Sequence, residues 1–166
     1  MDGLEIISVH AGWFEFKFRN HDNEILLSCS NIFSYDISLI LLKTINEMLI
    51  QEASVKAICC MDEMSAYILE FSKHSNEMQM TVGEAQKRSN KISRNAETLI
   101  NESVKEKVFE GNYVFKEFAN SIFKAFESYS SGENLNVYQK HWMPFPQEEF
   151  VKLRNKMLYR FPDAVI

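Results

Sequence analysis

The chain is poor in the residues that punctuate or break structure: 5 glycines and 3 prolines in 166 residues, with the glycines isolated from one another. That excludes low-complexity and disordered architectures and leaves no Gly-rich phosphate-binding loop. No GxSxG elbow occurs. The histidines His10, His21, His74 and His141 have no HxH or HxxxH spacing, and there is no CxxC, so the sequence predicts no metal site and no cofactor. No apolar run reaches the ~18 residues that a membrane span needs, so none is expected. The opening residues, with Asp2 and Glu5, lack a basic stretch leading into an apolar one, and no secretory leader is expected. Cysteine is scarce and odd in number, 3 in all. Cys59 and Cys60 are adjacent and would point to opposite faces of a strand. The expectation is separate buried thiols without a disulfide framework, suited to a reducing cytoplasm.

The net charge of −5 is uneven. Residues 1–83 hold 12 acids and 5 bases (−7), and residues 84–166 hold 11 acids and 13 bases (+2). This balance disfavours nucleic-acid binding and is compatible with docking a basic protein, although solvated charge without a partner gives the same counts.

What the chain has in quantity is aromatic and aliphatic patterning. In Trp13-Phe14-Glu15-Phe16-Lys17-Phe18-Arg19 every second residue from Phe14 is Phe, which makes a strand with an aromatic core face and a charged outer face. Leu4 to His10 reads as the start of this strand, with Gly12 as a bulge or short turn. Across His21-Asp22-Asn23-Glu24, a second run places Ile25, Leu27 and Cys29 on one face, completing a hairpin. Ser34 or Asp36 then offers an N-cap to an amphipathic helix over 36–51, expected to lie across the Phe face. Val55 to Met61 is apolar on both faces and reads as a central strand. It leads through Asp62-Glu63-Met64-Ser65 into strands around Tyr67–Phe71 and Met78–Val82, with 73–76 as the turn between them.

Residues 84–95 lack an apolar period, and 96–109 fit either a helix or an edge strand guarded by lysines. Phe115, Phe118, Ile122, Phe126 and Tyr129 predict a strong helix over 113–130, a second candidate cover for the Phe face. Asn134 to Trp142 reads as a short helix, and Pro146 at N1 opens a last one carrying Phe150, Leu153 and Met157. The prediction is therefore α+β: one antiparallel sheet of about five or six strands with about three helices packed on it. A single domain would span 1–166, with 84–110 a flexible or variable insertion.

Few residues carry chemistry in this pattern. Asp62-Glu63 in a turn and Glu148-Glu149 at a helix start are neighbours on one element, not carboxylates facing each other across a cleft. Cys29, Cys59 and Cys60 fit small core residues better than nucleophiles. Trp142-Met143-Pro144-Phe145-Pro146 either locks the chain onto the core or forms an exposed anchor.

The order of features, from the Phe hairpin through a Leu-rich helix, an acidic turn and Tyr67-Ile68-Leu69-Glu70-Phe71 to Tyr138, Trp142, Phe145-Pro146, Phe150 and Leu153, resembles a broad group of small bacterial proteins. Some of these resemble immunity proteins of polymorphic-toxin systems. Where the group has Glu-Pro-Gly at the strand turn, this chain has Asp62-Glu63-Met64-Ser65. The resemblance implies a single non-enzymatic α+β domain that acts by binding a protein, and with the acidic half of the chain the expected partner is a basic toxin domain or another protein. The resemblance carries over no functional residue; charge complementarity to a basic toxin domain makes the turn acids Asp22, Glu24, Asp62 and Glu63 the candidate contacts, and Trp142 joins them from the aromatic–proline stretch. Two rival expectations are a small enzyme with a dispersed site using His141 or a cysteine, and a self-assembling module, for instance a homodimer through a sheet edge.

Overall fold

The computed structural model describes residues 2–21, 23–85, 95–102 and 105–162. Strands β1 (Gly3–His10), β2 (Trp13–Asn20) and β3 (Asn23–Ser30) form one antiparallel sheet in the order β1-β2-β3. Strands β4 (Ala53–Met61), β5 (Ala66–His74), β6 (Glu77–Ala85) and β7 (Lys105–Val114) form a second, in the order β4-β5-β6-β7. The helices among the described residues are α1 (Ile37–Ile50), α2 (Ala96–Glu102), α3 (Phe115–Glu127), α4 (Gly132–His141) and α5 (Gln147–Arg160). The α+β class holds. The single sheet becomes two, and about three helices become five.

Local chemistry explains the punctuation. Ala11 (φ 46°) and Gly12 (φ 86°) are both left-handed, as a two-residue hairpin turn requires, so Gly12 ends β1 instead of bending one long strand. Asp36, not Ser34, caps α1: its Oδ1 accepts the N–H groups of Ser38 at 3.1 Å and Leu39 at 3.2 Å. Pro146 stands at the N-cap of α5 and not at N1. The stretch that fitted either helix or strand is both in succession, α2 and then β7. Of the expected 84–110 insertion, residues 86–94 and 103–104 lie outside the described residues; Glu84 and Ala85 belong to β6, 96–102 to α2 and 105–110 to β7.

The aromatic face of β2 is covered by α3, the second of the two helices expected over it, and by α4, but not by the 36–51 helix. Phe14 meets Phe126 of α3 and Tyr138 of α4, with ring centroids 6.3 and 6.2 Å apart, and Trp142 at 5.4 Å. Phe118 of α3 stacks on Phe18 at 5.9 Å and also touches Phe71 and Tyr113 of the second sheet, at 6.1 and 4.8 Å. α3 is thus the element that both sheets share, and truncating Phe118 to alanine would cost about 3–5 kcal/mol. Helix α1 packs instead against β4 and α5. The physical reason is distance along the chain. Periodicity identifies an apolar stripe, but which stripe it meets is decided by contacts a hundred residues apart.

The carbonyl end of α1 gathers cations from two other elements. Lys156 donates to the Asn46 carbonyl at 2.9 Å, Arg160 to that of Leu49, and Lys73 to those of Gln51 and Glu52. These bonds satisfy orphan carbonyls and oppose the helix dipole. Lys73 is therefore a buried strand residue and not part of a turn. Burial lowers its pKa, assisted by Arg160 and opposed by Glu52.

Two further corrections concern β4. It is an edge strand of its sheet, not a central one. Its Cys60 is paired in a disulfide with Cys29 of β3, at a Cα separation of 5.6 Å, so only Cys59 is free. Cys59 and Cys60 do point to opposite faces: Cys60 enters the main core, and Cys59 a smaller cluster with Met61, Ala66, Ile68 and Leu99 under α2. The pairing was invisible in the sequence because the partner came from a strand 31 residues away, not from the adjacent cysteine.

Candidate functional site

The outer face of the first sheet bears the side chains that alternate with the phenylalanines. Glu5, Lys17 and Leu26 form one cross-strand row, and Ser8, Glu15 and Ser28 another. Lys17 pairs with Glu5 at 3.4 Å and with Glu24 at 3.6 Å, and Arg19 reaches Glu24 at 3.0 Å. The Arg19 hydrogen bond, then the Lys17 charge, holds the Glu24 carboxyl below its ordinary value. Glu24 is thus exposed, but its charge is already answered within the sheet.

On the same face Ser8, His10 and Glu15 form a polar cluster that invites comparison with a hydrolytic triad. Ser8 Oγ lies 3.0 Å from His10 Nδ1 and donates to Glu15. A working relay places the histidine between hydroxyl and carboxylate, so that imidazole takes the hydroxyl proton and the carboxylate orients the ring. Here the serine stands in the middle and gives its proton to Glu15, which leaves His10 without an orienting acid. The arrangement is a surface hydrogen-bond network, not an activated nucleophile.

The β4–β5 turn is built differently. The Asp62 carboxylate is turned back onto the backbone, accepting the N–H groups of Met64 at 2.6 Å and of Ser65, while the Asp62 N–H donates to the Ser65 carbonyl at 3.1 Å. This self-bonded Asx turn fixes the tip. Glu63 and Met64 project from it, both exposed, and Met64 keeps 73% of its surface open. Asp62 is accordingly a structural residue of the turn, and the groups it presents are Glu63 and its neighbour Met64. In the sequence Met64 is one residue of the turn; an apolar residue at the centre of a polar turn is the signal that sets it apart.

The candidate contacts do not converge. Asp22 lies outside the described residues. Glu24 sits at the start of β3, the end where Asn20 donates to the Asn112 carbonyl of β7. Asp62 and Glu63 follow Cys60, which is bonded to Cys29 near the other end of β3. Five residues of strand, roughly 17 Å, separate Glu24 from Cys29, the anchor of the other acidic site. Trp142 is only 5% exposed, and its indole N–H donates to Asp36 at 3.1 Å. Tyr138 extends this link by donating to Ser38, which donates in turn to Asp36. Burial, then the nearby Asp36 charge, pushes the Tyr138 phenol up and keeps it a donor. Trp142 therefore locks α4 onto the cap of α1 and does not form a surface anchor. Beside it Met143 and Pro144, with Leu39 and Lys43, line a shallow groove of about 730 Å³.

The residues of the enzymatic alternative are either bonded elsewhere or, for Cys59, buried as a thiol. His141 Nδ1 accepts the Ala11 N–H at 3.3 Å. Cys29 and Cys60 are bonded to each other, and burial pushes the Cys59 thiol up to about 12, far from the thiolate that nucleophilic attack needs. Among the described residues no group of three or more His, Cys, Asp or Glu could hold a metal ion, and no helix is long and apolar enough to cross a membrane. Comparison with protein-family models, curated proteins and solved structures gave no match.

Proposed function

We propose that this domain works by binding another protein, and that the β4–β5 tip is its principal contact. The observation that carries this reading is the division of labour in the turn. Asp62 fixes the backbone, so Glu63 and Met64 are presented in a set geometry, an acid beside a large adaptable apolar side chain. A rigid tip loses little entropy on docking, and the charge favours a basic partner surface. The toxin-neutralising form of the proposal rests on the resemblance described above and on the acidic half of the chain.

The test is co-expression with the C-terminal domain of a large secreted protein encoded beside this gene. Wild type is expected to restore growth and to bind the domain. Glu63→Lys and Met64→Ala are each expected to weaken binding by about tenfold or more, as hot-spot residues do, with unchanged thermal stability. Undiminished binding by both variants overturns the tip as the contact. A gene set in a metabolic operon, with no such neighbour, overturns the toxin-neutralising reading.

A further inference from the structure

The two edges of the second sheet are treated differently. β7 is guarded: it carries Lys105 and Lys107, and a register shift opposite Val82 and Gly83 distorts its ladder. Such charges and bulges keep an edge from pairing with another chain. The free edge of the first sheet, β1, is guarded as well. Its Leu4 N–H is taken by Ser121 Oγ at 3.0 Å, and a register shift falls between Ile6 and Ser8. Gly3 makes room for Ser121, whose hydroxyl would collide with any Cβ there.

β4 has no such device along its first half. The direction of its peptides follows from two bonds. The Cys59 N–H points away from β5, since it donates to the Tyr35 hydroxyl at 3.3 Å, whereas the Glu52 carbonyl points toward β5 and accepts from Ser75 at 2.8 Å. Peptide direction alternates along an antiparallel strand. Ala53, Val55 and Ala57 therefore face outward with Cys59, and their peptides have no partner among the described residues. Val55 keeps 76% of its surface exposed. Lys56, the only charge in the segment, is on the opposite face and paired with Glu47 of α1.

The open window is bounded on both sides. Beyond Ala57, Tyr35 occupies the Cys59 N–H; before Ala53, Lys73 occupies the Gln51 carbonyl. What remains is Ala53-Ser54-Val55-Lys56-Ala57, with an alanine at each end and Val55 at its centre. We propose that the chain self-associates through this segment, pairing antiparallel with the same segment of a second copy about a two-fold axis at Val55. Ala53 then lies opposite the second copy's Ala57, and Val55 opposite Val55, each pair exchanging both peptide hydrogen bonds. Lys56 faces Ser54, so no like charges are opposed. Shifting the axis to Ala53 or Ala57 would demand the peptide groups already held by Lys73 or Tyr35, an axis at Ser54 would leave Ala57 unpaired, and an axis at Lys56 would leave Ala53 unpaired and oppose the two lysines, so only the axis at Val55 engages all three outward residues. The two four-stranded sheets become continuous, and the Glu63 tips, at the far ends of the two antiparallel β4 strands, stay free. This assembly does not depend on the partner-binding reading.

Light scattering coupled to size exclusion, over roughly 1–200 µM, tests the assembly, since the fraction paired depends on concentration. The expected result is a rise toward twice the 19.4 kDa chain mass for the wild type and the monomer mass throughout for Val55→Lys, with unchanged circular dichroism. A wild type that remains monomeric throughout, or a folded Val55→Lys that still dimerises, overturns the proposal. Should Val55→Lys fold poorly, Val55→Cys reads the same contact. With oxidised glutathione as oxidant it is expected to yield a covalent dimer, because opposed residues of a hydrogen-bonded pair lie ~5.5 Å apart, within disulfide reach. Ser72→Cys, one strand further from the axis, is expected to yield none. Absence of cross-linking at residue 55, or equal cross-linking at both positions, overturns the register.

Discussion

Reducing the Cys29–Cys60 bond will destabilise the protein without removing an atom from its core. The bond joins residues 31 apart in sequence and ties together two strands of different sheets that share no ladder. The chain-entropy relation for a loop of that length gives about 12 cal/mol/K, or about 3.7 kcal/mol at 25 °C. For a chain of this size, each kcal/mol moves the melting temperature by about 2–4 °C, so reduction is expected to lower it by about 7–15 °C. Little else should offset the change. Both sulfurs remain buried, and the reduced Cys60 thiol has the Ser28 carbonyl 3.4 Å away as an acceptor. The assay is calorimetry with and without a phosphine reductant, on the wild type and on Cys29→Ser. The wild type should shift and the variant should not respond to reductant. A thiol titration in denaturant fixes the starting state: one reactive thiol, Cys59, without reductant and three with it. Three thiols without reductant, or a reductant-insensitive melting temperature, would refute the reasoning.

Two other outcomes follow from buried groups. Asp36→Ala removes an N-cap and orphans the Trp142 indole N–H and the Ser38 hydroxyl, so a loss of about 2–4 kcal/mol is expected in urea unfolding, with α4 losing amide-exchange protection first. Cys59 supplies a pH dependence. Its thiol is raised from 9.0 to about 12 in the fold, so between those values the unfolded chain has released a proton that the folded chain keeps. The unfolded state then binds fewer protons, and stability falls as pH rises through that window by up to about 1.4 kcal/mol per pH unit. The difference between wild type and Cys59→Ala, measured at pH 8 and at pH 10.5, isolates this slope; a difference that stays constant with pH would refute it.

Features written in neighbouring residues were legible in the sequence. The period-two phenylalanines announce β2, Asp36 followed by an apolar stripe at spacings of three and four announces α1, and Phe115 to Phe126 announces α3. What was not legible depends on meetings between distant segments: Cys29 with Cys60, Phe118 with both sheets, Tyr138 with Ser38. One miss was avoidable. Tyr67, Leu69, Phe71 and Lys73 alternate without a break, so Lys73 belonged to the inward face of its strand, and only its charge argued for a turn. Val55 went wrong for the opposite reason. A β-branched residue in an apolar run reads as interior, yet its strand lies at an edge. At the candidate site, the turn at Asp62 was visible, but the separation of duties within it was not, because a carboxylate that bonds its own backbone has the same letter as one that meets a partner.

The position of α3 also has a consequence for the order in which the chain is made. The aromatic face of β2 leaves the ribosome early, and its aromatic cover comes late: Phe118, Phe126, Tyr138 and finally Trp142, which lies 128 residues after Phe14. At about 5–20 residues per second, that face waits roughly 6–26 seconds for its cover. The hairpins can close in microseconds, but a closed hairpin still shows its phenylalanines to the cell. For this chain the hazardous interval in folding is therefore set by the pace of translation, and any truncation that removes α3 would extend it without limit.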